Sequence, residues 1–150
     1  MRSENPFLTV GYDGPETFCD RVRETEALLS AIRNGRNVTL IAPRRYGKTG
    51  LIHHVMHSLS ADYDKVYLDI YATKDLSDFV KGFAQAVVSA LETTSEKVAS
   101  ALGRFFTSLR PTMAPQPDGS IKWSFDLAPS MAKSSLDDTF DYLRKRERPI

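Results

Sequence analysis

Cysteine occurs once in these 150 residues, at Cys19, so no disulfide framework can form within the chain. A reducing compartment suits such a chain, and the cytoplasm is the expected one. There is little charge of either sign in excess. The formal net charge is +1, which argues against general affinity for nucleic acid or for membrane surfaces. No apolar run approaches the roughly 18 residues of a membrane span. The polar start Met1-Arg2-Ser3-Glu4-Asn5 lacks the apolar core of a signal peptide. Internal repeats and low-complexity tracts are missing as well. The length suits one domain with a sizeable core.

One segment implies a definite ligand. Residues 42–49 read Ala-Pro-Arg-Arg-Tyr-Gly-Lys-Thr and follow the apolar run Val38-Thr39-Leu40-Ile41. Phosphate-binding loops read Gly-x-x-x-x-Gly-Lys-[Ser/Thr] between a strand and a helix. Gly47, Lys48 and Thr49 occupy their places, and Ala42 stands where the first glycine is expected. The residue types suit the chemistry. Triphosphates are held by backbone N–H groups, a helix N-terminus and a cation. Gly47 permits a tight loop and close approach. Lys48 reaches the β- and γ-phosphates, and the Thr49 hydroxyl serves Mg²⁺ bridged to phosphate oxygens. Arg44 and Arg45 add charge beside the loop. An alanine at position 42 resists left-handed backbone angles but accepts β-like ones.

The rest of the chain reads as alternating elements. Residues 1–17 are an arm. Asp20 caps a helix to about Asn34, with Val22, Thr25, Leu28, Leu29 and Ile32 on one face and Gly35 ending it. Strands are expected at 38–42 and 65–71, the second apolar enough to be covered on both faces. Between them a helix buries Leu51, Ile52, Val55, Met56 and Leu59. Leu76, Phe79, Val80, Phe83, Val87, Ala90 and Leu91 mark the clearest helix, capped by Asp75. Another is expected over 94–109. Prolines at 111, 115 and 117 and the turn Pro117-Asp118-Gly119 precede the alternating run Ile121-Lys122-Trp123-Ser124-Phe125-Asp126-Leu127, which reads as a hairpin over 110–127. Ser135 caps a last helix with Leu136, Thr139, Phe140 and Leu143 inward. The expected fold class is α/β: a parallel sheet flanked by helices, of the phosphate-loop NTPase type, incomplete and carrying that inserted hairpin.

The spelling Pro43-Arg44-Arg45-Tyr46-Gly47-Lys48-Thr49 resembles the archaeal-type ATPases, a prokaryotic branch close to AAA+ and STAND proteins, whose loops often read Pro-Arg-Arg-x-Gly-Lys-Thr. Upstream, Phe18-Cys19-Asp20-Arg21-Val22-Arg23-Glu24 is similar to the family's Phe-x-Gly-Arg-x-x-Glu, with Asp20 in place of the glycine. Asn5-Pro6-Phe7 is similar to its start. The resemblance covers residues 5–92 and is weaker from 93 to 150. It implies ATP and Mg²⁺ as ligands. It places Phe18 and Arg21 near the adenine, beside contacts from Pro43, Arg44, Arg45, Tyr46, Gly47, Lys48, Thr49 and Gly50, with Thr49 on the metal through the nucleotide.

Hydrolysis in such a family needs an apolar strand ending in an acid, a sensor residue and an arginine finger. Val66-Tyr67-Leu68-Asp69 is a near match, but it holds the family's second-strand position, and Asp69 reads as structural. By the resemblance, residues 18–150 are the N-terminal part of an ATPase domain that stops before this strand. Binding without hydrolysis is then expected, and no catalytic residue is assigned. The intervening strands would be absent, so the sheet is expected to repack or to complete itself in a homo-oligomer.

Two other readings stay open. One is a non-enzymatic interaction or signalling fragment with a vestigial loop. The other is a nucleic-acid-associated module using Arg144, Lys145, Arg146 and Arg148, although basic residues in a last helical turn also complement its dipole. Nucleic acid would engage only the intact protein, and no membrane partner is expected. His53 and His57 are four apart on one helix, but His54 stands where a zinc-protease helix has glutamate, and they read as surface histidines. Trp123 and Phe125 read as a packed strand face rather than as a stacking platform for bases.

Overall fold

Asp75 opens the longest helix among the described residues by filling two roles at once. Its carboxylate accepts the N–H of Asp78 at 2.8 Å, and its carbonyl accepts the N–H of Phe79 at 3.1 Å. That is the N-cap arrangement expected of an aspartate. The computed structural model describes residues 11–18, 20–91, 108–115, 117 and 121–145. Within them the chain forms two compact units, which divide between Ala61 and Asp62. Asn5-Pro6-Phe7, Cys19, most of the helix expected over 94–109, the turn at Asp118-Gly119 and the end at 146–150 lie outside the described residues.

The first unit is a helix pair. Helix α1 spans Val22–Arg33 and α2 spans Lys48–Ser58. They pack through a small interior that includes Thr25, Ala31, Leu51 and Val55. The N-cap of α1 is Arg21, without a side-chain cap. Asp20 does not cap it; its backbone is left-handed, φ 66°. Aspartate tolerates that conformation better than most residues, and a glycine would fit the position without strain. At the other end Gly35, φ 62°, donates to Ile32 O, and Arg36 donates to Ala31 O. These two bonds close a Schellman motif, and a glycine at its C′ position accepts the angles without strain.

The second unit is built around α3, Leu76–Leu91. Its buried stripe is Ser77, Val80, Ala84, Val87, Val88 and Leu91, which is rotated from the expected one and leaves Leu76 and Ala90 exposed. Strands β1 (Arg110–Pro115) and β2 (Ile121–Asp126) pair antiparallel, Arg110 opposite Asp126 and Pro115 opposite Ile121. Phe125 and Leu127 are buried while Ser124 and Asp126 are exposed, the alternation a half-buried strand requires. A 3₁₀ turn, Pro129–Met131, leads into α4, Ala132–Arg144. Helix α3 packs against both β2 and α4. The core joins Val80, Ala84, Val87, Val88 and Leu91 to Leu109, Phe125, Leu127, Ala132 and Tyr142.

Three further expectations are overturned. The parallel sheet is not formed. Residues 36–43 and 64–70 carry no strand, and among the described residues the two-stranded antiparallel pair is the whole of the sheet structure. Among the described residues helix far exceeds strand. A β-branched run supplies only one side of a ladder, and strand propensity is realised only against a paired neighbour. Secondly, Ser135 does not cap the last helix. The helix starts three residues earlier, Ser135 is fully buried within it, and Thr139 Oγ1 donates to its carbonyl at 2.8 Å. Thirdly, Phe140 is exposed and Tyr142 takes the buried place. The Asp75 cap offers a direct check: Asp75→Ala is expected to cost about 1 kcal/mol, read as a lower midpoint in urea unfolding with an unchanged slope.

Candidate phosphate-binding loop

Between Ile41 and α2 the backbone turns sharply. Arg45 and Gly47, two residues apart, both have positive φ, 64° and 71°. Left-handed residues set within a turn expose successive N–H groups on one side of the chain, the arrangement of an anion nest. Ala42 has no positive φ, so its Cβ costs nothing and the missing first glycine is no structural defect. Gly47 is the N-cap of α2, with no side-chain cap and no acidic residue in the first turn. From Arg44 to Gly50 no backbone N–H donates to any group among the described residues. Helix N-termini leave such donors for a cap, water or a ligand.

Lys48 closes the loop on itself. Its ammonium donates to Ala42 O at 2.7 Å and to Pro43 O at 2.9 Å. The charge is thereby held at the entry of the loop by carbonyls, with no carboxylate among the described residues paired to it. Thr49 is exposed, and its hydroxyl makes no hydrogen bond among the described residues. Arg44 and Arg45 are exposed and have no ion pair there. The loop thus gathers three cationic side chains and a run of free donors without a balancing acid among the described residues.

The two upstream residues stand beside it. Arg21 Nη2 donates to Tyr46 O, and its guanidinium lies 5.5 Å from the centroid of the Tyr46 ring. A Cβ on Gly47 would meet Arg21 Nη2 at 3.8 Å, and one on Gly50 would meet Phe18 Cε2 at 3.8 Å. Phe18 stacks on His54 with centroids 4.1 Å apart and planes 15° from parallel. All ten sequence-derived site residues therefore fall in the first unit, with Phe18 and Arg21 against the start of α2.

Phe18, Asp20, Arg21, Val22, Thr25, Glu26 and His54 line a cleft of about 150 Å³. Thr25 Oγ1 is buried there without a hydrogen-bond partner. Sequence reasoning missed two contributors. Tyr12 Oη lies 3.2 Å from His54 Nδ1 and shares a hydrogen bond with it. Burial pushes the Tyr12 phenol above its usual value, so it stays protonated at neutral pH. Tyr12 also sits near the rings of His53 and His57, at 6.3 and 6.4 Å. No periodicity links residue 12 to residue 54, so no sequence signal pointed to the pair. Among the described residues no cluster of His, Cys, Asp or Glu could hold a metal ion. Asp69 is engaged locally: its carboxylate accepts the N–H of Tyr71 at 2.9 Å, an Asx turn.

No family model matches this chain, and neither the curated proteins nor the solved structures contain a match to it. No helix among the described residues is long and apolar enough to cross a membrane.

Proposed function

We propose that residues 42–50 bind the phosphates of a nucleoside triphosphate, with ATP and Mg²⁺ as the working ligand. One observation carries the reading: among the described residues the uncapped N-terminus of α2 offers free N–H groups from Arg44 to Gly50 beside an ammonium that no carboxylate neutralises. The spelling of the loop, similar to archaeal-type ATPases, supports it independently. Lys48 exchanges two carbonyls for phosphate oxygens. Thr49 presents an unengaged hydroxyl to a cation that arrives with the triphosphate. Phe18 and Arg21 flank the base.

The activity proposed is binding rather than turnover. The acid that the sequence offers, Asp69, is engaged in its own turn. A cytoplasmic setting, where Mg·ATP is abundant and Cys19 stays reduced, suits this role. The test is calorimetric titration of the whole chain with Mg·ATP, ATP without Mg²⁺, and AMP. The expected order of affinity is Mg·ATP, then free ATP, then AMP. Equal binding of all three, or none at all, would sink the proposal and leave a vestigial loop as the better reading.

A further inference from the structure

The segment leading into the loop, Asn37-Val38-Thr39-Leu40-Ile41-Ala42, has strand-forming residues and no strand partner. None of residues 37–41 takes part in a hydrogen bond among the described residues. Val38 is 49 % exposed and Ile41 92 %. An unpaired stretch of backbone with exposed β-branched side chains is a template for strand pairing. We propose that residues 36–42 pair antiparallel with the same residues of a second copy of this chain, across a two-fold axis.

The occupant follows from charge and register. Residues 37–42 contain no charge, no proline and no glycine, the composition of segments that pair with their own kind. A two-fold normal to the sheet keeps each side chain on its face, so facing positions have an even sum. Centring the pair on Thr39 sets Thr39 against Thr39, Val38 against Leu40, Asn37 against Ile41 and Arg36 against Ala42. No like charges oppose each other, and Pro43, which has no N–H to give, falls outside the ladder. Centring it on Leu40 would set Arg36 against Arg44 and bring Pro43 into the ladder against Asn37. Like charges directly opposite destabilise a sheet, so the first register is the favoured one. The paired two-fold interface is isologous and closes at a dimer.

This inference is independent of nucleotide binding and is tested without ligand. Sedimentation equilibrium of the full chain is expected to show a monomer–dimer equilibrium. Thr39→Lys places two ammonium groups face to face and should weaken dimerisation about tenfold or more. Thr39 is exposed and unbonded, so circular dichroism should show an unchanged fold. The register is read by cross-linking in a Cys19→Ser background with oxidised glutathione. Facing Cα atoms about 4.5–5.5 Å apart lie within disulfide reach. Thr39→Cys should therefore form a covalent dimer faster than Leu40→Cys, whose facing residue is Val38. A monomeric wild type, a species larger than a dimer, or faster cross-linking of Leu40→Cys would overturn the proposal.

Discussion

Lys48→Ala is expected to weaken Mg·ATP binding by roughly 10- to 150-fold, the equivalent of about 1.5–3 kcal/mol for hydrogen bonds to a charged group. The reasoning rests on what the ammonium does before ligand arrives. It is held by the carbonyls of Ala42 and Pro43, neutral acceptors that a phosphate oxygen outcompetes. Removing it leaves those carbonyls to water, a small cost because Pro43 is exposed and Ala42 only half-buried. The fold should therefore survive, and thermal unfolding should show little change. Two controls separate charge from shape. AMP has no β- or γ-phosphate, so its binding should not change if Lys48 acts on those groups. Thr49→Ala should weaken binding only when Mg²⁺ is present. Equal ATP affinity in wild type and Lys48→Ala would end the assignment. An equal loss for ATP and AMP would mean that the loop had lost its shape rather than its charge.

The turn into α2 was legible in the sequence because its signals are local. Gly47, Lys48 and Thr49 are consecutive, and the helix that follows announces itself by Leu51 and Val55, both buried. The Asp75 cap and the apolar period of α3 are local in the same sense, as is the alternation that buries Phe125 and Leu127. The misreadings share the opposite property. Val38-Thr39-Leu40-Ile41 has the residues of a strand, but a strand exists only with a neighbour, and none is written into the run itself. Expecting a parallel sheet extended family likeness into long-range pairing. The stripe of α3 is rotated because β2 and α4 choose which side of the helix is covered. Ser135 reads as a cap by type, yet Pro129 already initiates the 3₁₀ turn that feeds the helix. Tyr12 joined His54 across 42 positions, a contact set by packing alone. Local signals thus marked the turn into α2 on which the proposed site rests, while non-local contacts decided the architecture around it.

Phe125→Ala is expected to destabilise the second unit by about 3–5 kcal/mol. That is a large share of the roughly 5–15 kcal/mol that holds a typical domain. Phe125 sits in β2 opposite Pro111 and is 8 % exposed, within the cluster that unites α3 and α4. A two-stranded hairpin is marginal by itself and needs one face packed. Phe125 and Leu127 supply that face, so truncating the ring leaves both a cavity and a poorly anchored hairpin. Phe140 makes the contrast. Helical periodicity alone places it inward, but it is 45 % exposed and meets Phe83 at a ring distance of 5.5 Å. Phe140→Ala should therefore cost only about 1 kcal/mol, the worth of an exposed aromatic pair. Urea unfolding followed by the fluorescence of the single tryptophan, Trp123 in β2, measures both. A Phe140→Ala loss as large as that of Phe125→Ala would show that the periodic stripe, and not the β2-facing cluster, is the core of this unit.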